Sequence, residues 1–273
     1  MVLEHMKKKV KNLIIGGLTL VLLTSFTYKL VKNNQETKLN IKKHKELDIH
    51  SENIVAHRGY SSYYPDNSYE SVEAALNSNC TDLIEIDVRF TKDMEIVINH
   101  DSFINISDIS IQIDELIFKD TKTDLILLKD FLTWYSFNKP LIIDVKVNFI
   151  DENLSNQLNK LLNNYSNLVY IQSDCYEFLE YMNILYPNYK YLYIINSKDD
   201  LKKINNNFYG YTVKYSLFDD IIVENNKIYL IYTINSKRKY LKLINEKNYH
   251  DNMFIITDNP DYICSLENKK LRK

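Results

Sequence analysis

Glycine is scarce, four in 273 residues, and none sits in a Gly-rich phosphate loop after a strand-like run. That counts against a nucleotide-binding doubly wound sheet, whose turns need glycine where the backbone approaches a pyrophosphate. Cysteine is scarce too: Cys80, Cys175 and Cys264 are far apart and form no CxxC pair. Their odd number argues against a complete disulfide framework and their spacing against structural zinc. They read as small buried hydrophobes, with one disulfide among them left open. The chain also lacks a strong charge excess, at net −2, but its charge is unevenly placed. Residues 1–48 carry ten lysines and four acids, whereas the remainder carries 24 basic and 32 acidic residues. An acidic body has no electrostatic footprint for nucleic acid, which argues against that class of partner. Tyrosine is abundant at 22, alongside many Asn, Lys and Ile, and reads as compositional bias rather than chemistry.

One long apolar run stands out. Lys7, Lys8, Lys9 and Lys11 precede the uncharged stretch Leu13–Tyr28, which reaches 19 residues if extended through Lys29 to Val31. As a helix that is about 28 Å, close to the hydrocarbon thickness of a bilayer, and Lys29 can snorkel from its end. The basic cluster predicts an inside N-terminus and an outside body. No A-x-A-like cleavage site follows, so a retained signal anchor is expected rather than a cleaved signal peptide. The expected organisation is a basic cytoplasmic N-terminus over 1–11, a transmembrane anchor over 12–32, a polar Lys/Asn-rich linker over 33–50 and one catalytic domain over 51–273. A hydrophobic content of 45% supports one sizeable core in a chain of this length, not two.

From residue 53 onward, short β-branched or aromatic runs alternate with stretches of helical spacing. Strands are expected at 53–57, 82–90, 95–99, 141–147, 168–172, 191–195, 208–213, 227–234 and 253–256, with helices at 68–78, 152–163, 176–185 and 237–246. The near-continuous apolar run Leu141–Val147 suits a strand buried on both faces. Such alternation favours an α/β fold with a parallel sheet. Either a (β/α)8 barrel or an open doubly wound sheet satisfies it.

The residues that carry chemistry cluster early. Glu85 and Asp87 are two apart, so on a strand both carboxylates face one side, among Leu83, Ile84, Ile86 and Val88. Two such anions repel unless a cation sits between them, and their oxygens suit a hard divalent ion, Ca²⁺ or Mg²⁺. Asp144 and Lys146 repeat the two-residue spacing inside an apolar run, where unpartnered charges are costly. His57-Arg58 closes the first strand run and His100 the run from Glu95. Imidazole titrates near neutrality and guanidinium offers bidentate hydrogen bonds to phosphate, so the set suits metal-assisted cleavage of a phosphodiester.

In order and spacing, Ala56-His57-Arg58-Gly59, Pro65-Asp66-Asn67-Ser68, Glu85-Ile86-Asp87-Val88, Thr91-Lys92-Asp93 and His100-Asp101 resemble the signature of the glycerophosphodiester phosphodiesterase family. These proteins are phosphatidylinositol phospholipase C-like TIM barrels, and the resemblance decides for the barrel. It implies His57 and His100 as the proton-transfer pair, Arg58 and Lys146 on the substrate phosphate, and Glu85, Asp87 and Asp144 on one divalent cation. Tyr232 stands where the family commonly has Trp and is a candidate wall of the substrate pocket. Asp101 reads as orienting His100, and Thr257-Asp258 as a structural cap on the last strand.

The chain departs from the family in several places. Asp144 replaces the usual Glu of Glu-x-Lys and is one methylene shorter. Met94 takes the position of a turn glycine in Lys92-Asp93-Met94, so that turn adopts another geometry or a costly one. Residues 102–128, often a larger insertion, look short. His5, His44, His50 and His250 have no evident partners and read as surface residues. The expected protein is a membrane-anchored (β/α)8 phosphodiesterase with its active site outside the cytoplasm. Its expected reaction converts a glycerophosphodiester, or a related lipid-headgroup or wall-polymer phosphodiester, to an alcohol and glycerol 3-phosphate. Two rivals are a phospholipase D-like enzyme giving a cyclic phosphate and an inactive barrel that only binds a phosphorylated ligand.

Overall fold

A computed structural model describes residues 53–135, 139–247 and 249–270. The expected N-terminus, anchor and linker lie outside the described residues. Among those described, no helix is long and apolar enough to cross a membrane.

The elements run, in chain order, β1 (Ile54–Ala56), α1 (Tyr69–Asn77), β2 (Leu83–Phe90), β3 (Ile96–Ile98), β4 (Phe103–Ile106), β5 (Ile109–Gln112), β6 (Ile126–Leu127), α2 (Leu128–Trp134), β7 (Leu141–Val145), α3 (Glu152–Asn163), β8 (Val169–Ser173), α4 (Tyr176–Leu185), β9 (Lys190–Ile195), α5 (Lys198–Leu201), β10 (Gly210–Lys214), β11 (Ile228–Tyr232), α6 (Lys237–Ile244), β12 (Met253–Thr257) and α7 (Pro260–Lys270). β1, β2 and β7–β12 are all parallel neighbours, and β1 pairs with both β12 and β2. The eight strands therefore close on themselves as a TIM barrel. A 3-10 turn, Tyr215–Asp220, takes the place of a helix after β10.

Strand alternation divides the wall into two layers. Ile84, Ile86, Ile143, Ile171, Tyr193, Val213, Ile231 and Ile255 join the helices' Val72, Phe131, Leu158, Phe178 and Leu243 in one apolar cluster. The intervening residues Leu83, Ile142, Tyr170, Leu192, Leu230 and Phe254 are buried too and face the barrel axis. Above them on the same parity stand Glu85, Asp87, Asp144 and Gln172. Helix starts are marked by side-chain caps: Ser68 accepts from the Ser71 N–H at 3.1 Å and Asp151 from Leu154 at 3.1 Å. Several tyrosines serve as core residues with a satisfied hydroxyl. Tyr191 donates to the Tyr186 carbonyl at 2.9 Å, beyond the end of α4, and Tyr193 to Asp200 at 3.0 Å.

Three features revise or complete the sequence reading. Cys80 and Cys264 form a disulfide, joining the segment before β2 to α7, while Cys175 is free. The region after β3, short by comparison with the family, folds into a separate two-stranded hairpin, β4–β5. Met94 does take the costly geometry, with φ of 66°.

Candidate active site

The C-terminal ends of the barrel strands surround a cavity of about 280 Å³. His57, Arg58, Glu85, Asp87, His100, Asp144, Lys146 and Tyr232 all line it, so the structure gathers every site residue expected from sequence. His250 is exposed and stands apart, before β12; His5, His44 and His50 lie outside the described residues.

The turn after β1 is unusual in its backbone. Arg58 and Gly59 have φ of 55° and 79°, and a Cβ at Gly59 would collide with the Ser71 backbone. This left-handed pair aims the Arg58 N–H at Glu85 Oε2, 2.9 Å away. Asn67, also left-handed at φ 59°, clamps Asp87 from two sides. Its Nδ2 donates to Asp87 Oδ2 at 2.9 Å, and its Oδ1 accepts from the Asp87 N–H at 3.0 Å. Non-glycine residues held at positive φ concentrate strain where surrounding contacts overdetermine the backbone.

Register places the three carboxylates side by side. Asp87 is directly opposite Asp144 on the β2–β7 ladder, with Glu85 one same-face step below. Each of the three residues is at most 4% exposed, and one ligand atom from each lies within 4.8 Å of the others. Lys146 bridges two of them, 2.7 Å from Asp144 Oδ2 and 3.1 Å from Asp87 Oδ1. Arg58 Nε lies 3.1 Å from Asp87 Oδ2, and its Nη1 donates to Asp66 at 2.9 Å. Gln172 Nε2 reaches Asp144 Oδ2 at 3.3 Å, and its Oε1 accepts from Thr212 at 2.7 Å.

The charges do not cancel evenly. Burial, then the neighbouring Asp87 and Asp144, push Glu85 well above the ordinary carboxylate range. Burial raises Asp144 to about 7 against the attraction of Lys146. Asp87 shifts the other way: despite burial, Lys146 and Arg58 hold it low. Asp144 Oδ1 is buried with no hydrogen-bond partner. An orphaned acceptor beside two further carboxylates, with acids forced toward protonation, fits a hard cation with oxygen ligands.

Both imidazoles are held by carboxylates. His57 Nδ1 lies 2.6 Å from Asp258 Oδ1 and His100 Nδ1 lies 2.8 Å from Asp101 Oδ1. Burial raises Asp258, but the bond to His57 outweighs it and keeps the group ionised, so His57 donates from Nδ1. Asn235 fixes Asp258 in turn, donating to Oδ2 and accepting from the Asp258 N–H at 2.9 Å. The sequence reading gave Asp258 a capping role; the structure puts its carboxylate on a cavity histidine. Arg89 Nε donates to the His100 carbonyl at 2.8 Å, and the Asn99 N–H to the Asp87 carbonyl at 3.1 Å, tying the His100 segment to β2. Tyr232 hydrogen-bonds Asn196 across the opposite wall. Sequence reasoning gave Asp258 another role and passed over Arg89, Gln172, Asp174, Asn196 and Thr212, of which all but Arg89 line the cavity. The available signal was position: polar residues at or just past strand C-termini of such a barrel tend to be functional.

An eight-stranded α/β barrel with an acidic triad, two cations and two carboxylate-held imidazoles at its strand ends has the parts of a phosphoester site. The chain belongs to the glycerophosphoryl diester phosphodiesterase family, whose profile matches residues 57–262. It is 25% identical over 209 residues to the uncharacterized protein MG385 of Mycoplasma genitalium, covering 73% of this chain and 81% of that one. It is 44% identical over 52 residues to the glycerophosphodiester phosphodiesterase of Bacillus altitudinis, which is 19% of this chain and about a fifth (21%) of that protein's length. Among solved structures, the Oleispira antarctica phosphodiesterase in complex with the product sn-glycerol-3-phosphate superposes with a TM-score of 0.66 at 21% identity, over 79% of this chain and 96% of that one. The Thermotoga maritima glycerophosphodiester phosphodiesterase gives 0.62 at 20%, over 80% and 99%.

Proposed function

We propose that the protein is a divalent-metal-dependent phosphodiesterase that hydrolyses glycerophosphodiesters, or a related lipid-headgroup or wall-polymer diester, to an alcohol and glycerol 3-phosphate. The observation that carries this reading is the pair of carboxylate-held histidines on one cavity with the Glu85–Asp87–Asp144 triad. The product bound in the Oleispira structure, glycerol 3-phosphate, supports the same substrate class.

With Nδ1 committed to a carboxylate, each imidazole keeps Nε2 for proton transfer. One histidine takes a proton from the attacking oxygen and the other gives one to the departing alcohol. Arg58 and Lys146 present positive charge to the phosphate oxygens, their side chains held in place by Asp66, Asp87 and Asp144. Glu85, Asp87 and Asp144 would hold Ca²⁺ or Mg²⁺, which when bound would supply positive charge to the phosphate and acidify the attacking water. Tyr232 and Asn196 border the space where the alcohol sits.

The same reading places residues 12–32 in a membrane as a single-pass anchor, N-terminus inside, with the barrel outside the cytoplasm. The Cys80–Cys264 bond supports an oxidising compartment.

The test is release of glycerol 3-phosphate from glycerophosphocholine and glycerophosphoethanolamine by the full chain in detergent, stripped of metal and then resupplied. Turnover should require Ca²⁺ or Mg²⁺ and fall at least ~100-fold in His57→Ala. A cyclic phosphate seen by phosphorus NMR would replace hydrolysis with intramolecular transfer. Absence of turnover in a metal-loaded sample would favour a barrel that only binds its ligand.

A further inference from the structure

Hairpin β4–β5 has an apolar face that lies outside the barrel's core cluster. Its register pairs Ile104 with Ile111 and Ile106 with Ile109, so alternation puts all four isoleucines on one side. Ile109 is 63% exposed, Ile104, Ile106 and Ile111 are half-buried, and none of the four packs against the core cluster. The opposite side carries Phe103, Asn105, Ser110 and Gln112. The tip, Ser107-Asp108, has φ of 50° and 66°, the two-residue turn that matches strand twist and keeps the hairpin narrow.

Its location gives the face meaning. β4 starts three residues beyond His100, at the rim of the cavity. Phe149 and Ile150, exposed at 65% and 46%, follow Lys146 at the same end of the barrel, and the turn after β1 exposes Tyr63. Large apolar side chains on three separate loops thus surround one catalytic mouth.

We propose that this rim, led by the isoleucine face of β4–β5, docks on a lipid bilayer and brings the mouth to phosphodiesters embedded there. This rests on the hydrolase reading above for its substrate and on three observations for its occupant. First, the sequence carries an uncharged stretch, Leu13–Tyr28, suited to the same bilayer. Second, the 21 residues from Lys32 to Glu52 can extend about 70 Å, enough to let either end of a barrel meet the surface. Third, Asp101–Phe118 carries four acids (Asp101, Asp108, Asp114 and Glu115) and no Lys or Arg, so contact with an anionic surface through charge is ruled against and the contact must be made by the apolar side chains.

The substrate would be an acylated glycerophosphodiester lying in the surface. Water adds at phosphorus, the bond from phosphorus to the headgroup oxygen breaks, and the headgroup alcohol leaves with a proton from histidine. The acylated glycerol phosphate stays in the bilayer.

The experiment places the full chain in nanodiscs of phosphatidylcholine and follows tryptophan fluorescence of Ile109→Trp with and without brominated lipid. The only native tryptophan, Trp134, packs on Tyr69 and Phe131, so wild type supplies the background. Quenching should be specific to the variant and unchanged between low and about 1 M salt. In parallel, Ile106→Asn/Ile109→Asn should lower turnover of monoacyl glycerophosphoethanolamine in the discs by about ten-fold or more. Its turnover of soluble glycerophosphoethanolamine should stay within about two-fold, which also reports that the barrel is folded. Fluorescence of Ile109→Trp that brominated lipid leaves unquenched overturns the proposal. Disulfide cross-linking of Ile109→Cys between two copies also overturns it, since the face would then be a dimer contact. If neither ester is turned over by wild type, the hydrolase reading fails while quenching still decides the docking.

Discussion

Asp258 illustrates how one carboxylate changes meaning between sequence and structure. In the sequence it belongs to Thr257-Asp258-Asn259-Pro260, a run whose plain reading is the end of a strand and the start of a helix. In the fold that strand end stands beside β1, and the carboxylate reaches His57. Asp258 is thus a positioning residue that sets the tautomer and orientation of His57. Asp258→Asn should lower kcat by about 10- to 100-fold with little change in KM. Asp101→Asn should cost less, because its side chain is 63% exposed against 34% for Asp258. Equal losses, or a loss confined to KM, would count against the positioning role. The first-contact residues were legible because their chemistry is costly in an apolar run: Glu85, Asp87, Asp144 and Lys146 needed a reason to be there. Asn67 and Asp258 act through other residues and sit in polar turns where their types are commonplace, so only the fold reveals their partners.

At the scale of elements, legibility followed burial. Runs buried on both faces, such as Leu141–Val145 and Met253–Thr257, were visible as continuous apolar segments, and α3 as a helical pattern over 152–163. The hairpin β4–β5 was missed although isoleucine recurs at every second position from 104 to 106 and from 109 to 111. It makes no contribution to the core, and a pattern that does not point to a core is hard to assign from sequence. The cap of α3 makes a separate prediction. Asp151 accepts from the Leu154 N–H and stands at the positive end of a twelve-residue helix that buries Leu154, Leu158 and Leu162. Asp151→Ala should destabilise the fold by about 0.5–2 kcal/mol in thermal or urea unfolding, and Asp151→Asn should restore most of it. An unchanged midpoint in Asp151→Ala would mean that packing alone fixes this helix.

For the whole molecule, the closed barrel brings the two ends of the described fold together, β1 against β12 and Cys80 against Cys264. A cross-link spanning 184 residues restricts the unfolded chain by about 5 kcal/mol on loop entropy alone. Such a reserve offsets the cost of burying three carboxylates at the other end of the strands. That cost depends on pH. Asp144, ordinarily near 3.8, is raised to about 7 in the fold by burial, and Glu85 is raised with it. A carboxyl raised on folding binds its proton more tightly in the native state, so its contribution is favourable below pH 4 and is lost as pH climbs through the native value. The ion-free protein should therefore lose stability between about pH 4 and 7 as Asp144 ionises, on the order of a few kcal/mol, and Glu85 acts in the same direction. A divalent cation binds the deprotonated triad and should offset that loss, so the rise in Tm on adding Ca²⁺ or Mg²⁺ should be small at pH 5 and largest near pH 8. Asp144→Asn keeps the shape and removes one charge: without ions it should melt above wild type at pH 8, and added cation should move it little. Scanning calorimetry of the two chains, with and without cation, reads all four cases. An equal Tm increment at pH 5 and pH 8, or a full increment in Asp144→Asn, would remove the triad as the cation site.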